Sequence, residues 1–180
     1  MKKRILMVLM VCVLAASFIY AENNVVFASV SPFQSQKVDS NWYPSFTSKY
    51  GWGVRAGYRK FAGPLLLGTD LVYNGFTYSN TDYALASVQL LVKFGGKVVL
   101  SDDADLNGEI GGGIEMDYFK KVISFYPVVS ASISFSKYVK PDMAVIFGVD
   151  SSMTWPRSED SSYKASVWNF GFNFGVEFDY

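Results

Sequence analysis

Residues 168–180 read WNFGFNFGVEFDY, with Trp168, Phe170, Phe172, Phe174, Val176, Phe178 and Tyr180 alternating with Asn169, Gly171, Asn173, Gly175, Glu177 and Asp179. Successive side chains on an extended chain point to opposite faces, so a period of two specifies a strand with one apolar face and one small or polar face. The stretch fixes a local structure and leaves open what its apolar face meets.

The same alternation recurs upstream. Tyr50, Trp52, Val54, Ala56 and Tyr58 oppose Gly51, Gly53, Arg55, Gly57 and Arg59, and Leu65, Leu67, Thr69, Leu71 and Tyr73 oppose a mixed face holding Gly68, Asp70 and Asn74. Ala84 to Phe94 at even positions oppose Leu85, Ser87, Gln89, Leu91 and Lys93. Ile110, Gly112, Ile114, Met116 and Tyr118 oppose Glu109, Gly111, Gly113, Glu115 and Asp117. Val129 to Phe135 oppose Ser130 to Ser136, and Val145, Phe147 and Val149 oppose Ile146, Gly148 and Asp150. A weaker run from Val25 to Phe33 has an ambiguous phase. Eight strands and no helix result, joined by turn-like segments at 34–48, 61–64, 79–82, 101–108, 119–125, 137–142 and 156–162. Short successive connections imply an antiparallel meander.

Lys2, Lys3 and Arg4 precede an apolar run that ends at Ala21, which is the pattern of a secretory signal peptide over 1–21. One domain is then expected over 22–180. Removing the signal leaves 13 basic against 16 acidic residues, a balance of −3. Without a basic excess, nucleic acid is a poor partner. The one cysteine, Cys12, lies in the signal, so a disulfide or thiolate metal site is not expected. No later stretch approaches the ~18 apolar residues of a spanning helix, although 50% of the chain is hydrophobic and 17% aromatic.

Two barrels accommodate eight such strands. A water-soluble barrel buries the apolar face around a ligand, whereas a membrane barrel turns it to lipid and keeps small and polar groups inside. The Gly and Ser content of the second face suits a narrow interior. Aromatic residues fall near strand ends: Tyr50, Trp52, Tyr73, Tyr83, Tyr118, Trp155 and Trp168 toward one rim, and Tyr58, Phe94, Phe135, Phe178 and Tyr180 toward the other, as two interfacial girdles require. The inward polar set is Arg55, Arg59, Asp70, Asn74, Lys93, Glu115 and Asp117. If the first hairpin centres between Ala62 and Gly63, Arg55 lies opposite Asp70 and Gly57 opposite Gly68. If a later one centres on Ala104, Lys93 faces Glu115. The fold expected is all-β, an eight-stranded antiparallel up-and-down transmembrane β-barrel.

With these strands in place, the chain resembles the small eight-stranded outer-membrane proteins of diderm bacteria, of the OmpA-barrel, OmpX and OmpW types. The most specific match is the last strand, where Phe172, Phe174, Val176, Phe178 and Tyr180 resemble the signal read by the barrel-assembly machinery. The resemblance implies a bacterial outer-membrane location, with outer-membrane lipid and the assembly machinery as partners, a monomer and no cofactor. It leaves open a porin-like conduit for small, even hydrophobic, molecules, a structural envelope protein, or a surface adhesion barrel. The sequence has no histidine, which excludes His-dependent triads, and no enzyme is expected. Residues 103–108, DADLNG, match the first half of a calcium loop, but the closing position falls on Ile114 and Glu115 is one place late. A looser calcium site on Asp103, Asp105 and Asn107 is the only metal reading. The run GEIGGGIE, 108–115, lacks the Lys-Ser/Thr of a phosphate loop, and Gly111 and Gly113 are expected to point inward where neighbours need space.

Overall fold

A computed structural model describes residues 23–41, 44–78, 84–119, 122–156 and 164–180. The predicted signal segment and the aromatics Trp42, Tyr43 and Tyr83 lie outside the described residues. Nine strands follow one another: β1 Asn23–Ser40, β2 Phe46–Thr47, β3 Tyr50–Ala62, β4 Leu65–Thr77, β5 Ala84–Ser101, β6 Ala104–Phe119, β7 Val122–Lys140, β8 Met143–Thr154 and β9 Ala165–Asp179. Each long strand pairs antiparallel with the next, and β1 also pairs with β9. Eight long strands therefore form a closed barrel. β2 is a two-residue annex on the extension of β1, at Lys37 and Val38.

Closure carries a stagger. Following ladder partners once around from Val26 passes Tyr58, Thr69, Val92, Gly112, Val129, Met153 and Trp168, and returns to β1 at Lys37. Such a displacement is the shear that tilts strands in a barrel. One residue of it comes from a bulge, because Val30 pairs with Phe174 and Phe33 with Phe172, leaving Ser31 and Pro32 against Asn173 alone. Pro32 has no N–H to give the ladder, and a bulge is where a strand tolerates it. The bulge reverses parity: Val25, Ser29 and Ser31 are buried before it and Gln36 after it, which is why the phase of this strand was illegible.

The apolar faces point outward. Leu90 is 62% and Ile110 65% exposed, and Leu71, Val92, Ile114, Ile133 and Phe172 are similarly bare, while Asp70, Gln89, Lys93 and Glu115 are buried. The reversed, water-soluble barrel is thereby contradicted, since its Phe row would line a cavity. The aromatic rim is present as Phe46, Tyr50, Trp52, Tyr73, Tyr118, Trp155 and Trp168 at the end with the longer connections, where Trp52 and Tyr73 meet with ring centroids 5.4 Å apart.

Hydrogen-bonded strands outrun the hydrophobic alternation that announced them. Segment 34–48, read as a loop, is strand to Ser40, after which the chain folds back so that Ser48 N donates to Gln36 O at 2.8 Å. Segment 101–108 contracts to a turn at 102–103, with 104–108 inside β6, and 122–125 and 137–140 belong to β7. A lipid-facing band is only ~25 Å tall, and the ladder runs on through the mostly polar 34–40, whereas Ile123 and Phe125 of 122–125 stay apolar and exposed.

The first hairpin fixes a register. Gly63, with φ of 59°, occupies the positive-φ position of a two-residue turn and Pro64 follows with its fixed negative φ, a II′-type arrangement. The centre lies between Gly63 and Pro64, so Gly57 pairs with Asp70 and Arg55 with Val72, in place of the expected Arg55 opposite Asp70 and Gly57 opposite Gly68. Likewise Lys93 pairs with Gly111 and Glu115 with Gln89, not with each other.

Inward glycines then make room. A Cβ on Gly57 would lie 2.5 Å from both Asp70 Oδ1 and the Phe27 ring, and one on Gly111 2.6 Å from Lys93 Cδ. On outward-facing Gly112 the nearest atom would be 3.6 Å away. Gly57→Val is expected to cost about 1–3 kcal/mol through overpacking, read as a lower urea midpoint of the refolded barrel in detergent, while Gly112→Ala should leave the midpoint near wild type. Equal effects at both positions would contradict this assignment of faces.

Candidate functional site: the braced lumen

The centre of the lumen is built on Asp70 of β4. Arg55 and Arg59, four residues apart on β3, share an inward face, and both bond its carboxylate: Arg55 Nε donates to Oδ2 at 2.8 Å and Arg59 Nη1 to Oδ1. Arg59 also reaches across the barrel to β6, where its Nε donates to Glu109 Oε1 at 2.9 Å and its Nη2 to Oε2 at 2.7 Å. That two-pronged geometry is the strong form of an ion pair. Arg55 Nη2 lies 3.6 Å from the same Glu109. Beneath both guanidinium groups sits the Phe27 ring, 5.4 Å from Arg55 Cζ and 4.6 Å from Arg59 Cζ, a stacked cation–π arrangement. Arg59 is 3% exposed and Asp70 1%.

Around this brace, among the described residues, little space is left. A cavity of about 30 Å³ touches Phe27, Arg55, Arg59, Glu109, Asn173 and Glu177, room for about one water molecule. Hollows of about 690 and 510 Å³ lie instead on the outer wall, over small residues such as Gly112 and Ala131 in one and Ala28 and Ala56 in the other. They face where acyl chains would pack and do not open a path through the barrel.

Of the predicted inward set, Arg55, Arg59 and Asp70 converge, and the Arg55–Asp70 bond exists although the two are diagonal rather than opposite. Lys93, 1% exposed, stands beside this cluster and donates to Ser132 Oγ at 3.4 Å rather than to Glu115. Glu115 accepts from Gln89 Nε2 at 2.6 Å, and Asn74 Nδ2 donates to Ser87 Oγ at 3.5 Å. Asp117 points inward on β6 with Oδ1 unpartnered.

The calcium-loop residues do not come together. Asp103, in the turn, accepts from Ser101 Oγ at 2.8 Å and pairs with Lys137. Asp105 lies 3.2 Å from Lys97, and Asn107 Nδ2 donates to Ser136 Oγ at 3.2 Å. Hydrogen bonds from Lys137 and then Ser101 hold the Asp103 carboxyl below its usual range. On β9, Phe172, Phe174 and Phe178 point outward, and Tyr180, just past the strand, is exposed.

Two members of the brace went unread in the sequence. Phe27 sits in the run whose phase the bulge obscures. Glu109 was placed on the inward face but given no partner, because its partner Arg59 lies across the lumen and 50 residues away.

No protein-family model matches the chain, and no curated protein matches it. Solved structures do. Neisserial surface protein A superposes with a TM-score of 0.67 at 12% identity, covering 88% of this chain and 99% of that one. Ail, the attachment invasion locus protein of Yersinia pestis, gives 0.48 at 11% identity over 88% of this chain and 99% of its own. The outer membrane protein OprG of Pseudomonas aeruginosa gives 0.45 at 12% identity over 88% and 96%. At 12% identity the likeness to Neisserial surface protein A is one of fold, and the fold is a small closed eight-stranded antiparallel barrel, as the strand pattern predicted.

Removing one partner of a buried ion pair leaves the other charge uncompensated, at a cost of about 3–5 kcal/mol. Arg59→Met is therefore expected to lower the unfolding free energy by that order in urea titrations of the refolded barrel. Exchanging Arg55 and Asp70 should not restore stability, because an arginine at 70 would face Arg59. A swap variant as stable as wild type would show that Arg55 and Asp70 act as an isolated pair.

Proposed function

We propose that this chain is an integral protein of the bacterial outer membrane that works as a closed structural barrel, with no conducting path and no enzymatic chemistry. One observation carries the reading: the brace of Arg55, Arg59, Asp70, Glu109 and Phe27 ties β3, β4 and β6 together across the lumen, and the cavity beside it measures about 30 Å³. A channel needs a continuous opening, and charge-assisted hydrogen bonds spanning the lumen from β3 to β6 support a closed one. The exposed apolar belt supports the membrane location, and the outward row on β9 supports delivery by the barrel-assembly machinery. Outer-membrane lipid is then the standing partner and the monomer the working form.

In planar bilayers the purified barrel is expected to give no discrete conductance steps. Regular steps in the wild type would overturn the closed-barrel reading in favour of a conduit. Unboiled samples from the outer-membrane fraction should migrate differently from boiled ones. Recovery as soluble periplasmic material with no such shift would sink the location.

A further inference from the structure

Two inward side chains beside the brace are buried with an oxygen left over. Ser29 of β1 and Asn107 of β6 are each 5% exposed. Asn107 Nδ2 donates to Ser136 Oγ at 3.2 Å, while its Oδ1, which can only accept, has no partner. Ser29 Oγ is likewise unpartnered. Withdrawing such groups from water with no hydrogen bond in return is costly. Both side chains line the same cavity of about 30 Å³. Their strands are not neighbours in the sheet, so no ladder bond joins them.

The lining decides what can occupy that space. It holds the guanidinium groups of Arg55 and Arg59 and the carboxylates of Glu109 and Glu177. A cation there meets the first pair and an anion the second, whereas a neutral dipole is repelled by neither. The volume admits about one water molecule, and a buried water needs two to four polar partners. Asn107 Oδ1 accepts, the Ser29 hydroxyl donates or accepts, and the hydroxyls of Ser132 and Ser134 stand in the same wall.

We propose that this cavity binds one ordered water molecule as a structural ligand, donating to Asn107 Oδ1 and hydrogen-bonded to Ser29 Oγ. The water bridges β1, which closes the seam with β9, to β6, which carries Glu109 of the brace. A bridging water is nearly as favourable as a direct hydrogen bond. The direct hydrogen bonds of the brace join β3, β4 and β6, and β1 meets it through the Phe27 ring stacked on the two guanidinium groups. The water adds a hydrogen-bonded tie to that strand, two residues beyond Phe27. This inference rests on the closed barrel and not on its location in a membrane.

The test is a crystal structure of the refolded barrel, with parallel crystals soaked in RbBr. One density peak is expected within hydrogen-bond distance of both Ser29 Oγ and Asn107 Oδ1, with no anomalous signal from rubidium or bromide. A cavity without density, or an anomalous peak of either ion inside it, overturns the proposal. Urea midpoints of Ser29→Ala, Asn107→Ala and the double variant test the bridge without crystals. Losing either partner breaks it, so the double variant's midpoint should fall by clearly less than the two single shifts together. Ser29→Ala combined with Asn169→Ala, whose second site does not line the cavity, should give shifts that add. Shifts that add for Ser29 and Asn107 as well overturn the bridge.

Discussion

In hydrocarbon every peptide N–H and C=O must find its partner within the protein, at a cost of several kcal/mol for each that does not. An open sheet of eight strands would present two unpaired edges to lipid. The β1–β9 ladder, from Val25 with Asp179 to Ser40 with Ala165, removes both. The other features of the molecule are conditions for that seam to close. The stagger from Val26 to Lys37 sets the tilt, the bulge at Ser31–Pro32 absorbs a proline on the seam strand, and the Gly63–Pro64 turn fixes the first register.

Closure creates a second constraint, a narrow interior lined by polar side chains. The chain meets it by matching large charged groups with glycines. Asp70 and Phe27 fill the space beside Gly57, and Lys93 that beside Gly111. The charges in the middle are paired across the barrel rather than along one hairpin, so Arg59 links walls that the backbone ladder does not join directly. Elsewhere on β6 the ion pairing stops, and no Lys or Arg among the described residues pairs with Glu115 or Asp117.

The faces of the strands were legible in the sequence and their partners were not, for one physical reason. Moving a hairpin centre by one residue moves every partner by two, which preserves inside and outside while changing who meets whom. Hence Lys93 is buried but pairs with Gly111 rather than with Glu115. Strand ends were illegible because turn-forming residues such as those of 101–108 and 137–142 also lie within the hydrogen-bonded ladders of β5, β6 and β7. The phase of β1 was hidden by a bulge that reverses parity. Glu109 could be assigned a face but not a partner, since nothing local encodes a contact with Arg59 across a closed lumen.

The account stands on which face of each strand meets lipid, and β9 offers the most direct measurement. Single cysteines placed at 170 to 175 on a Cys12→Ser background, labelled with an environment-sensitive fluorophore and refolded into vesicles with brominated acyl chains, should be quenched at 170, 172 and 174 and spared at 171, 173 and 175. Quenching at the odd positions, or none that alternates, would contradict the account.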